Sequence, residues 1–161
     1  MNHQELCDAA VKWLKTYRCY VVAKELKTSI QEIPDAIGFN SSYSVLIECK
    51  TSHKDFIVDE KKPFRDHGCG LGDYRYYFCE PGIISIDEVK GKWGLIYIYK
   101  SGKCKVMKGK PGNSTFSDEY KFDTDKRAEH LFLYSLCRRM SLIEGLEIDG
   151  IWKKPIFEKE K

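Results

Sequence analysis

The chain has 161 residues, with 27 Lys and Arg against 24 Asp and Glu, a formal net charge of +3, and 42% hydrophobic residues. That length suits one domain with a sizeable core, and the charge balance is too even to imply a polyanionic partner by itself. No apolar run approaches the ~20 residues of a membrane helix, and the start Met1-Asn2-His3-Gln4-Glu5 lacks a signal-peptide pattern, so a soluble, cytoplasmic protein is expected.

Leu6, Ala10, Trp13, Leu14 and Tyr17 recur at helical spacing and predict an amphipathic helix over residues 3–17. Cys19 to Ala23 is β-prone and reads as a first strand continuing toward Leu26. Pro34 to Phe39 reads as a second strand, with the proline at its start, where a missing N–H is tolerated. After the turn Asn40-Ser41-Ser42, residues Ser44 to Thr51 form a third strand, apolar until its charged end and therefore central in the sheet. Ser52 caps a helix reaching about Lys62, which Pro63 and the glycines of 68–72 end in a loop. Tyr74 to Cys79 returns as a strand and stops at Pro81-Gly82. Ser85 opens one helical turn before Gly91. Gly94–Tyr99 and Cys104–Met107 flank a hairpin turn at 100–103. A polar connection over 108–123 leads to a long helix over about 125–140, and the charged tail beyond Lys153 is expected to fray. This order, α-β-β-β-α-β then a hairpin and a helix, predicts a single α/β domain over 1–161 with a mixed central sheet flanked by helices. Its core lies at about 3–108.

The 7 cysteines contain no CxxC pair, and their odd count and apolar settings favour reduced, mostly buried thiols. The spacing of His67, Cys69 and Cys79 matches no common metal-ligand set.

Chemistry concentrates in Pro34-Asp35 and in Val45-Leu46-Ile47-Glu48-Cys49-Lys50. An acid in one strand, then acid-x-Lys closing an apolar strand, resembles the PD-(D/E)xK nuclease superfamily over roughly residues 3–80. The neighbourhood, from Glu48 through Phe56 to Asp59, Lys62 and an aromatic strand ending at Pro81, looks like a DNA-repair-associated bacterial and phage branch. The resemblance implies a restriction-endonuclease-like core and hydrolysis of phosphodiesters, most readily in DNA. Asp35 and Glu48 are suitable oxygen ligands for Mg²⁺ or Mn²⁺. Glu48 and Lys50 project to the same side of an extended strand, about 7 Å apart, where the ammonium can orient the attacking water or stabilise phosphate charge. Cys49 faces the opposite side and the core, and the resemblance implies that its backbone carbonyl completes the metal shell. Glu5 on the first helix and Glu25 after the first strand are further candidate ligands, with a dipole-stabilised surface glutamate and a lysine salt bridge as their ordinary explanations.

Nucleic-acid contacts are expected from His53, Lys54 and Lys62 on the helix after the motif, and from Lys61, Arg65 and Arg75 in the glycine-containing loop that follows. Phe64 or Tyr74 is placed to stack on an unpaired base. Arg138 and Arg139 suit the end of the last helix as dipole partners. Alternatives are a catalytically silent DNA-binding or repair accessory protein and a phage-type protein-interaction factor. A homodimer or a protein partner stays open.

Overall fold

A computed structural model describes residues 1–59, 70–109 and 118–143. The first helix, α1 (His3–Thr16), starts at a capping box: Asn2 Oδ1 accepts the Glu5 N–H at 2.9 Å, and Glu5 Oε2 accepts the Asn2 N–H at 2.8 Å. Its apolar stripe, Leu6, Cys7, Ala10, Trp13 and Leu14, is buried. Strands β1 (Val21–Lys24), β2 (Ala36–Phe39) and β3 (Ser44–Cys49) follow as an antiparallel meander. The short helix α2 (His53–Asp59) then precedes β4 (Tyr74–Cys79), which pairs parallel to β3. After a 3₁₀ turn at Ile86–Glu88, β5 (Gly94–Ile98) pairs parallel to β4, and β6 (Cys104–Lys108) closes the hairpin. A second 3₁₀ turn, Asp118–Tyr120, lies in the expected polar connection, and α3 (Lys126–Met140) begins at Asp125, whose side chain accepts the Ala128 N–H.

The six strands form one sheet in chain order, β1 through β6. Side chains alternate between two cores, as the pleat demands. Val45, Ile47 and Cys49 face α1 with Tyr74, Tyr76 and Phe78. Leu46 and Tyr77 face Phe56 of α2 and Phe132 of α3. Strands β3 and β4 are buried along their whole length, as expected of interior strands in parallel pairing. The sheet packs tightly where Gly94 pairs with Tyr76: a Cβ on Gly94 would lie 2.3 Å from the Tyr76 ring.

A polar network ties α3 to the N-terminal ends of β3 and β4. Asp73 accepts the Ser44 N–H at 2.9 Å and Lys126 Nζ at 2.7 Å, and Ser44 Oγ also donates to Glu129. Burial pushes the Asp73 carboxyl up, but the bonds from Lys126 and Ser44 outweigh it and hold the group below its ordinary range.

Two residues expected to contact nucleic acid are internal instead. Tyr74 is 4% exposed and meets Tyr43 edge-on in the α1-side core, so it offers no face to a base. Arg75 is 1% exposed, donates from Nε to the Gly72 carbonyl at 3.2 Å and lies 4.3 Å from the Phe122 ring centroid. It is an internal brace, because strand alternation carries it into the α3-side core instead of a loop. Lys61, Lys62, Phe64, Arg65, His67 and Cys69 lie outside the described residues.

Candidate functional site

The end of the sheet where β3 finishes and β2 begins collects the ionisable groups. Asp35 stands one residue before β2, with Oδ2 accepting the Cys49 N–H at 2.7 Å. A carboxylate thereby caps the backbone just where β2 stops pairing with β3. Burial pushes the Asp35 carboxyl above its ordinary range, only partly relieved by the Cys49 N–H and the charges of Lys50 and His3.

On the α2 side, Lys50 Nζ lies 3.4 Å from Glu48 Oε2 and 3.2 Å from Asp59 Oδ1. All three side chains are almost fully buried, at 4%, 4% and 1% exposure. Burial pulls the Lys50 ammonium down, yet Glu48, Asp59, Asp55 and Asp35 together hold it above its ordinary value. Two carboxylates, Glu48 and Asp59, are buried against one ammonium, an excess of negative charge in a poorly solvated place.

On the α1 side, Asp35 meets a second group. His3 and Cys7 are one helical turn apart on α1 and so share a face. Glu25 sits just after β1 in a left-handed conformation, φ 47°, and its N–H donates to the Asp35 carbonyl at 3.2 Å. One ligand-type atom from each of His3, Cys7, Glu25 and Asp35 lies within 4.8 Å of every other. Glu25 is also held by Gln4, whose Nε2 donates to Oε2 at 2.8 Å.

Asp35, Glu48 and Lys50 stand at one end of the sheet, and Glu25, the other expected candidate after β1, lies beside Asp35 on the α1 side. Glu5 is a correction: its carboxylate closes the helix cap and lines a groove of about 650 Å³ between α1 and the β5–β6 hairpin, away from the four-residue cluster. His53 turns its Nε2 to Glu88, an ion pair when protonated, and Lys54 is exposed on α2. Cys49 engages the site through its N–H on Asp35, while its thiol contacts Cys7 in the core. His3 and Cys7 escaped the sequence reading, although their four-residue spacing beside a capping asparagine was the available signal. Asp59 escaped as a partner of Lys50 for a different reason: only the fold of α2 against the sheet brings it there.

No family model and no curated protein matches the chain. A solved structure similar to it is SPO1766, a protein of unknown function from Silicibacter pomeroyi, with a TM-score of 0.58 at 17% sequence identity, over 92% of this chain and 94% of that one. At that identity the likeness is one of fold: this chain is an α/β domain whose six-stranded mixed sheet is flanked by helices.

Proposed function

We propose that this protein is a divalent-metal-dependent phosphodiesterase acting on nucleic acid, with DNA as the favoured substrate and a restriction-endonuclease-like core as its scaffold. The observation that carries the reading is the buried carboxylate excess around Lys50, at the end of the sheet that also holds Asp35. Such an excess fits a hard divalent cation, and Asp35 and Glu48 are the oxygen donors that would hold it. The element order of α1 through β4 and the acid-x-Lys strand end support the same reading.

A Mg²⁺ or Mn²⁺ ion bound there supplies a water of lowered pKa and neutralises phosphate charge. The chain's own contributions follow from the contacts. The Cys49 N–H fixes one Asp35 oxygen, so the carboxylate is oriented before any substrate arrives. Lys50 stays protonated at neutral pH because its neighbours favour the ammonium. It can donate to an attacking water or to a non-bridging phosphate oxygen as negative charge builds there. Glu48 and Asp59 hold that ammonium in place, leaving it little rotamer freedom to lose when substrate binds.

The test is incubation of the purified protein with single-stranded, duplex and branched DNA and with RNA, in Mg²⁺, in Mn²⁺ and in chelator. Metal-dependent cleavage that is lost in Asp35→Asn and Glu48→Gln proteins of unchanged fold supports the assignment. Cleavage that survives both substitutions, or no cleavage of any substrate with either metal, refutes it. Binding without cleavage would identify a silent nucleic-acid-binding protein instead.

A further inference from the structure

The four groups on the α1 side of Asp35 have a chemistry of their own. His3 Nε2 lies 3.4 Å from Cys7 Sγ, 3.3 Å from Glu25 Oε1 and 3.5 Å from Asp35 Oδ1. One ring nitrogen carries at most one proton, so it cannot donate to a thiol and two carboxylates at once. A cation between the four satisfies all of them. In a tetrahedron, neighbouring ligands are separated by about 1.63 times the metal–ligand bond, which for zinc bonds of about 2.0–2.3 Å gives roughly 3.3–3.8 Å. The three distances from His3 fall in that interval, and the remaining donor pairs lie within 4.8 Å.

The donor set also selects the ion. One thiolate, one imidazole and two carboxylates suit a borderline cation of the zinc class, whereas magnesium prefers oxygen donors and retains its waters. Cys7 is fully buried and His3 half-buried, so the site has a closed inner wall and an accessible outer one. The backbone adds an orienting device, because the Glu25 N–H to Asp35 carbonyl bond couples the two carboxylate-bearing segments.

We infer that His3, Cys7, Glu25 and Asp35 form a binding site for a Zn²⁺-class cation, distinct in ligand chemistry from the Mg²⁺-type site of Asp35 and Glu48. Binding forms a metal–sulfur bond as the Cys7 thiol gives its proton to solvent, with no change in oxidation state. The inference stands without the hydrolytic reading, since its readout is the metal itself.

The full chain, stripped of metal with chelator and kept reduced, is titrated with Zn²⁺ by calorimetry in excess Mg²⁺, and with Co²⁺ by absorption spectroscopy. Equimolar Zn²⁺ binding that Mg²⁺ does not compete away, with a thiolate-to-cobalt charge-transfer band, is expected. The band disappears in Cys7→Ser and persists in Cys137→Ser, the variant of the exposed cysteine. His3→Ala, at a half-buried position, weakens Zn²⁺ binding about tenfold, a loss of about 1.4 kcal/mol. A band that survives Cys7→Ser, or a Zn²⁺ affinity unchanged in a folded His3→Ala protein, overturns the inference.

Discussion

Replacing Lys50 by methionine removes the ammonium while keeping most of the apolar stem, and its effect can be worked from the contacts. Lys50 lies 3.4 Å from a Glu48 oxygen and 3.2 Å from an Asp59 oxygen. At an effective dielectric constant of about 20, each pair is worth about 5 kcal/mol of gross attraction. Desolvation of the three charges cancels much of that in the native protein. The substitution, however, takes the ammonium away from two buried carboxylates, and breaking a buried pair from one side costs about 3–5 kcal/mol. For a chain of this size that corresponds to roughly 6–20 °C in Tm. Urea unfolding in chelator at neutral pH measures the loss directly. If the carboxylate excess is a cation site, added Mg²⁺ should return more stability to Lys50→Met than to the unaltered protein. The double change Lys50→Met with Asp59→Asn should also recover part of the deficit. A loss below about 1 kcal/mol would place the pair in the class of exposed salt bridges and refute the electrostatic reasoning.

Two further outcomes follow from the same physics. The Asp35 carboxyl is raised by burial, so ionisation costs more in the folded state than in the unfolded chain. Its contribution is therefore unfavourable above the ordinary carboxylate range and disappears below it. Asp35→Asn should accordingly raise Tm in metal-free buffer at neutral pH, with the gain vanishing in acid, as melting curves across pH would record; a lowered Tm at neutral pH contradicts this. Gly94→Ala should cost about 1–3 kcal/mol of stability by denaturant titration, because the new methyl meets the Tyr76 ring at 2.3 Å and the Lys108 carbonyl at 2.9 Å. An unchanged midpoint would mean that the β4–β5 packing yields more easily than the register suggests.

The elements were legible because their signals are local. The Leu6-to-Tyr17 spacing, the apolar run before Glu48, the Ser85 turn and the hairpin around Gly102 each fix structure within a few residues, and each element stands within a few residues of its expected place. The placement of Asp35 beside the end of β3 was legible for a similar reason, since adjacent strands with a short turn leave few registers. Tyr74 and Arg75 were misread because aromatic and basic residues after glycines look like a surface loop. The parallel pairing of β4 with β3 instead buries both faces, and Arg75 finds its partners in Gly72 and Phe122, which no sequence spacing announces. The same limit hid His3 and Cys7: a helix of mixed polarity shows its stripe, but the groups that α1 delivers to Asp35 depend on how it crosses the sheet.

The order of the strands has a kinetic consequence. His3, Cys7, Glu25, Asp35, Glu48 and Lys50 all come from α1 and the antiparallel meander with its flanking residues, and the meander strands pair with near neighbours along the chain. The two parallel junctions, β3 to β4 and β4 to β5, need longer loops to close before any contact rewards them. Loop-closure entropy therefore favours the meander pairings that place Glu25, Asp35 and Glu48 over the two crossovers, while α1 must bring His3 and Cys7 across a span as long as theirs.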